Sequence, residues 1–414
     1  VRVRPSGPLE GTVSVRGAKN SVLKLMAATL LAPGEYRLHN VPRISDVVDM
    51  SALLEAMGVG VRLDEHTLTI VVPDEILPEA PYELVERFRA SIVVLGPLLA
   101  RCGEARVALP GGDDFGPRPI DMHLRGLEQL GATFETAHGT IIGRGAELSG
   151  ARIVLEFPSV TATENLLMAA VLAKGTTVIE NSAREPEVAD LASFLNRMGG
   201  QILGAGTSTM TIEGVHALVP VEHTVVPDRI EAATYLAAVA IAGGEVTVQG
   251  ARPDHMDMFI RKLGEMGMRI SPTADGLWGF RRDRLRSVDV ATLPYPGIAT
   301  DYKPLFVAIL AVADGVSIVT ENLFTGRFRY IDELKRMGAD IRTDGHHAVI
   351  RGVPRLSGAP VRAPDIRAAA ALVVAALGAD GETLVRGMAH IDRGYDSLIE
   401  KLALLGADVE RVDA

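Results

Sequence analysis

Cysteine is almost missing from this chain: Cys102 is the single one in 414 residues. That excludes an internal disulfide and a metal cluster built on cysteine. Cys102 closes an apolar run, so a buried packing role is expected for it rather than chemistry. Aromatic residues make up only 4% of the chain, so its core must come from Ala, Leu, Val, Ile and Met, which a hydrophobic content of 47% supplies. Positive charge is not in excess either. The net charge of −10 argues against nucleic acid or an anionic membrane as partner, but leaves room for a local basic pocket. No uncharged apolar run reaches about 18 residues, so no membrane span is expected. The opening Val1-Arg2-Val3-Arg4-Pro5 has no apolar signal core, and the cytoplasm is the expected location. Gly204-Ala205-Gly206 lacks the third glycine of a dinucleotide fingerprint. His346-His347 follow Asp344-Gly345 as a turn between strands, with no third ligand in view, so no metal is expected.

An internal period is present. An amphipathic segment ends in Met-Gly or Leu-Gly six times, at Gly58, Gly131, Gly199, Gly267, Gly338 and Gly406, every 68–73 residues. Before Gly199, Leu191, Phe194, Leu195 and Met198 share one helical face. The glycines suit left-handed C-caps, and a short strand-like run follows, such as Val59-Gly60-Val61-Arg62. Six units in two sets of three fit two similar α/β domains.

Each unit carries a second helix that is apolar nearly all round, at about 20–32, 89–101, 162–173, 229–242, 301–313 and 366–377. Such helices are buried, so helices inside and sheets outside are expected. Polar residues gather at their starts: Lys19-Asn20, Arg89, Ser159 with Thr161, Arg229, Asp301, and Asp365 with Arg367. Helix N-termini carry free N–H groups and partial positive charge, which favour anions. Asp301 and Asp365 are suited to capping, whereas Lys and Arg are unfavourable there unless an anion is present. If three such ends converge in each domain and the domains face each other, the cleft is an anion site.

Residues 108–123 hold three Gly and three Pro, so neither regular helix nor strand is expected across them. They also carry Asp113, Asp114, Arg118, Asp121 and His123. Carboxylates beside an arginine on a Gly-rich loop suggest a lid over an anionic substrate, although ordinary surface turns have a similar composition.

Six runs carry a family resemblance: Gly17-Ala18-Lys19-Asn20; Leu109-Pro110-Gly111-Gly112; Gly116 through His123; Thr300-Asp301; Asp365-Ile366-Arg367; and His390 through Tyr395. Together they resemble the enolpyruvyl transferases over the whole chain, Gly11 to Val409. The resemblance implies a two-domain inside-out α/β barrel of six βαβαββ-type repeats. One domain would span 19–226 with the lid loop 108–123, the other 1–18 plus 227–414, with the active site in the cleft between them. Members acting on shikimate 3-phosphate begin Gly-Ser-Lys-Ser, so the match here implies a UDP-sugar acceptor. The implied reaction joins phosphoenolpyruvate to the 3-hydroxyl of UDP-N-acetylglucosamine through a tetrahedral ketal and releases phosphate, as the first committed step of peptidoglycan synthesis. Neither cofactor nor metal is implied, because Lys and Arg can neutralise the substrate.

On this resemblance Lys19, Arg118 and Arg393 clamp phosphoenolpyruvate, with Asn20, Arg327 and Arg367 close by and Arg89 at the sugar nucleotide. Asp113 matches the lid acid and Asp301 the candidate base. Asp365 matches either a catalytic group or an orienting partner. Asn20 matches a sugar contact, and Pro119, Ile120, Asp121, Met122 and His123 match the uridine-binding run. Ser159, Val160 and Thr161 match the diphosphate turn, and Leu323 and Phe324 lie near the sugar.

The chain departs from the family pattern at several places. Asp113 stands where many members have Cys, and an ordinary Asp is ionised at neutral pH, so it must be raised by lid closure, Asp114 or substrate anions to give a proton. Thr161 stands where Gly is usual, Ala299 where Pro is usual, and Lys303 where Gln is usual. These keep open a paralogue acting on another uridine nucleotide such as UMP, and a catalytically silent nucleotide binder.

Overall fold

The computed structural model describes residues 1–112, 119–324 and 326–412. They form two units, residues 17–112 with 119–226, and residues 1–16 with 227–412. Each unit holds three four-stranded sheets, and all six sheets are wired alike. In the first, Glu222–Thr224 runs parallel to Gly34–His39, which pairs antiparallel with Thr67–Val72, which pairs antiparallel with Gly60–Asp64. The period read from the glycines is therefore a period of topology. Strand patterning is one-sided: Tyr36 and Leu38 are buried while Glu35 and Arg37 between them are exposed.

The N-terminal residues belong to the second unit. Leu9–Ser14 pairs parallel with Gly244–Gln249, and Arg2–Val3 lies between Thr383–Arg386 and Val409–Glu410. Glu222–Thr224, far along the chain, closes the first sheet of the other unit. Each unit is thus tied off by a strand distant in sequence.

The apolar helices lie inside. Ile366–Ala376 and Lys303–Leu310 are buried at every position, and Lys19–Ala28 everywhere except Asn20. In the second unit Arg229–Ala242, Lys303–Leu310 and Ile366–Ala376 pack pairwise against one another, which their alanines permit at close range. The amphipathic helices end at the six expected glycines, all with φ between 86° and 108°. A side chain is strained in that left-handed conformation, so glycine stops each helix at the same place.

Four expectations shift. Residues 108–123 are trimmed at both ends, because the strand Glu104–Ala108 reaches in and the helix Asp121–Gln129 starts before the stretch is over. The segment expected as a helix from residue 89 opens as a 3-10 turn, Arg89–Val94, and becomes α-helical only over Leu95–Cys102. Pro97 has no N–H to bond back to Val93, which fits the change of winding there. The fifth buried helix begins at Lys303 rather than Asp301, because the Asp301 carboxylate is engaged by arginines instead of capping. Cys102 is half-buried at a helix end, and burial pushes its thiol pKa up. Among the described residues, no helix is long and apolar enough to cross a membrane. No group of three or more His, Cys, Asp or Glu among them is arranged to hold a metal.

Candidate functional site

The first unit presents the end of the Lys19–Ala28 helix. Lys19 is buried and its Nζ lies 2.8 Å from Asp46 Oδ2. Asn20, next to it, is the one partly exposed residue of the helix. Its entry is held tightly. Ala18 N–H donates to Val226 O at 2.7 Å, and a Cβ on Gly17 would come within 2.2 Å of Asn40 O. Ser21 Oγ donates to Asp190 Oδ2 at 2.5 Å, and the same carboxylate takes His223 Nε2 at 2.8 Å and Val226 N–H at 3.2 Å. One turn on, Lys24 donates to Asn20 O at 2.6 Å and lies 3.6 Å from Glu164 on the Val160–Ala170 helix. Burial pushes Glu164 up to about 8, against the pull of Lys24.

A second network in that unit joins His123 to the start of Val160–Ala170. His123 is buried in the first turn of Asp121–Gln129. Its Nε2 lies 3.2 Å from Thr161 Oγ1 and its Nδ1 lies 3.0 Å from Asn165 Nδ2. Ser159 caps the helix, accepting from Ala162 N–H, with Val160 as its first residue. Pro119 is exposed, and Ile120 and Met122 are half-buried. Arg89 lies half-buried, with burial lowering its pKa, and its charge reaches His123. Two glycines are seated close by: a Cβ on Gly112 would meet Arg89 N at 2.9 Å, and one on Gly111 would meet Glu86 O at 1.9 Å. Asp113 and Arg118 lie outside the described residues.

In the second unit a carboxylate sits between two buried guanidiniums. Asp301 Oδ1 accepts from Arg327 Nη2 at 2.7 Å, and Asp301 Oδ2 lies 3.5 Å from Arg367 Nε. Burial alone would raise Asp301, but Arg327 and Arg367 outweigh it and hold the carboxyl well below the usual range. Arg367 also lies over the Tyr395 ring at 5.3 Å, and its Nη1 is buried without a hydrogen-bond partner among the described residues. Asp365 caps Ile366–Ala376, accepting from Arg367 N–H and Ala368 N–H at 2.9 Å each. Arg393 follows the short helix Ala389–Asp392 and is half-buried.

Behind Asp301 is a hub that sequence reasoning missed. Glu321 Oε1 accepts from Thr292 Oγ1, Leu323 N–H and Phe324 N–H at 2.8, 2.8 and 3.2 Å. Its Oε2 accepts from Thr300 Oγ1 at 2.8 Å and lies 2.8 Å from Lys303 Nζ. Both side chains of that ion pair are fully buried. Arg327 Nη1 donates to Thr300 Oγ1 at 3.0 Å, and Lys303 donates to Arg327 O at 2.5 Å. One carboxylate thus fixes both Thr300-Asp301 and Leu323-Phe324. Lys303 did stand out as a departure, but nothing in the local sequence pointed to Glu321, Asp46, Asp190 or Asn165.

Each unit, then, wraps three sheets around buried helices whose starts gather Lys, Arg and Asp, which is the inside-out α/β arrangement. The family model EPSP synthase (3-phosphoshikimate 1-carboxyvinyltransferase) matches residues 3–402, and the chain belongs to that family. It is 53% identical over 405 residues to UDP-N-acetylglucosamine 1-carboxyvinyltransferase of Mycolicibacterium paratuberculosis, covering 98% of this chain and 97% of the relative. The protein of that name from Granulibacter bethesdensis is 50% identical over 415 residues, covering 100% and 99%. Among solved structures, the enolpyruvyl transferase NikO from Streptomyces tendae superposes with a TM-score of 0.90 at 27% identity, covering 99% of this chain and 98% of that one. An EPSP synthase from Acinetobacter baumannii shares the fold with a TM-score of 0.74 at 17% identity, covering 99% and 98%.

Proposed function

We propose that the chain transfers the enolpyruvyl group of phosphoenolpyruvate to the 3-hydroxyl of UDP-N-acetylglucosamine and releases phosphate, in the cytoplasm, as the first committed step of peptidoglycan synthesis. One observation carries the reading: the Asp301 carboxylate held between buried Arg327 and Arg367, in a chain 53% identical over its length to a protein named for this activity. An acceptor such as UMP gains no specific observation.

The reaction needs a proton delivered to the alkene carbon, a proton removed from the acceptor hydroxyl, and donors for carboxylate and phosphate. Asp113 gives the first proton and Asp301 takes the second as the new C–O bond forms. Cleavage of the bond to phosphate and loss of a proton from the methyl carbon then restore the alkene. Lys19, Arg118 and Arg393 hold phosphoenolpyruvate, with Arg327 and Arg367 supplying further donors. Arg89, Asn20, the run Pro119 to His123, the turn Ser159 to Thr161, and Leu323 with Phe324 hold the sugar nucleotide. Asp365 keeps the backbone of Arg367 in place as its helix cap.

The arginines around Asp301 set a condition on its role. A carboxylate paired with two guanidiniums is ionised but weakly basic. An anionic substrate that draws donors from Arg327 and Arg367 strengthens it as a base. The base is then fully effective only once phosphoenolpyruvate is in place.

The test is to incubate the purified protein with phosphoenolpyruvate and UDP-N-acetylglucosamine and identify the product by mass spectrometry. The enolpyruvyl nucleotide, with one phosphate released per product, is expected. Its absence with correctly folded protein would overturn the reading.

A further inference from the structure

The hydrogen bonds around His123 settle where its proton lies. Gly96 N–H donates to Asn165 Oδ1 at 2.6 Å. That contact is close because Gly96 has no side chain; a Cβ there would stand 2.7 Å from the same oxygen. The Asn165 amide is thereby oriented, and its Nδ2 faces Ile92 O at 2.9 Å and His123 Nδ1 at 3.0 Å. An NH2 group only donates, so Nδ1 of the ring must accept. Burial, aided by the charge of Arg89, pushes His123 down to about 3, so the ring is neutral with its one proton on Nε2. That Nε2–H donates to Thr161 Oγ1 at 3.2 Å. The Thr161 hydroxyl is thus used as an acceptor, and no hydrogen bond donated by it is found among the described residues.

We infer that Asn165 is a positioning residue: it fixes the Nε2–H form of His123 and so presents the Thr161 hydroxyl as a hydrogen donor to an oxyanion, the diphosphate of a bound nucleotide. With the other tautomer, Thr161 would donate its hydrogen to His123 and turn a lone pair toward that anion. The inference rests on the proposed nucleotide site. It also gives Thr161 a purpose that glycine at the same position could not serve.

Two readouts test it on the full chain, the first without ligand. Nitrogen-15 NMR of labelled histidine is expected to show His123 protonated at Nε2; a ring protonated at Nδ1 would overturn the inference whatever the enzyme's substrate. In Asn165→Asp, which puts an acceptor against Nδ1, a proton is expected to appear there; an unchanged signature would remove Asn165 from the chain of control. Calorimetry with UDP as the probe reads the second step. Thr161→Val is expected to weaken UDP binding by roughly tenfold, the size of one hydrogen bond to a charged group, with Thr161→Ser restoring it. Equal affinity for Thr161→Val and the wild type would contradict the donor role. If both readouts hold while the wild type fails to turn over UDP-N-acetylglucosamine, the proposed reaction falls and this inference stands.

Discussion

Arg327 Nη2 lies 2.7 Å from Asp301 Oδ1, and that contact keeps the carboxylate ionised far below neutral pH. Activity that needs ionised Asp301 is present above its pKa and lost as pH falls through it. With the pKa held well below the usual range, Asp301 sets no acid limb near neutrality. Removing one arginine raises the pKa, so in Arg327→Ala the acid limb of kcat/KM is expected to move upward. A profile superposable on the wild type would deny the coupling. Asp301→Asn is expected to lower kcat by about 10²–10⁴, the range of general-base catalysis.

Lys303 carries a second expectation. Its pKa is lowered to about 8 by burial, and it bridges Glu321 Oε2 and Arg327 O. Lys303→Met leaves Glu321 buried without its cation, and a loss of about 3–5 kcal/mol in stability is expected from urea denaturation. Lys303→Gln keeps an NH2 that can donate to both oxygens and is expected to lose far less. Equal losses for the two variants would mean that the bridge does not hold the Thr300-Asp301 segment.

Glu164 links stability to pH. Its pKa rises from 4.5 to about 8 on folding, mainly through burial, so between those values the folded chain binds more protons than the unfolded one. Stability is therefore expected to fall as pH rises through that window and to level off above it. Glu164→Gln, neutral at every pH, is expected to flatten this slope in melting-temperature scans from pH 5 to 9. A slope unchanged by the substitution would assign it to other groups.

On the proposed assignment, Asp113 stands at the position where the resemblance implies a cysteine in many family members, the thiol that fosfomycin alkylates. Time-dependent inactivation by fosfomycin is not expected for the wild type, and Asp113→Cys is expected to acquire it. A mass adduct on Asp113 would contradict this. The alkaline limb of kcat is also expected at lower pH in the wild type than in Asp113→Cys, because a carboxylic acid loses its proton before a thiol.

The fold was legible because its signals are local and repeated. A helical face followed by a glycine that must be left-handed recurs at Gly58 and five times more, and all six have positive φ. The helices apolar on every face, such as Ile366–Ala376, likewise declare themselves buried. The starts of these helices, with Lys19 and Arg367, were legible as cations out of place. What holds them was not. Asp190 meets Ser21 across 169 positions and His223 across 33, and no spacing rule relates such partners. A carboxylate before an apolar helix has the pattern of a cap as well as of a reactive group, and the contact that engages Asp301 instead comes from Arg327, 26 residues on. The Gly/Pro stretch was drawn too long because Asp121, Met122 and His123 carry a helical start that the composition around them masks.

The most direct measurement is phosphate release from phosphoenolpyruvate by the purified protein, with UDP-N-acetylglucosamine, UDP and UMP compared as acceptors. Turnover with UDP-N-acetylglucosamine, and little with UDP or UMP, is the expected result. Turnover with UMP or UDP in preference to the amino sugar, or binding of the nucleotide with no phosphate released, would contradict the account.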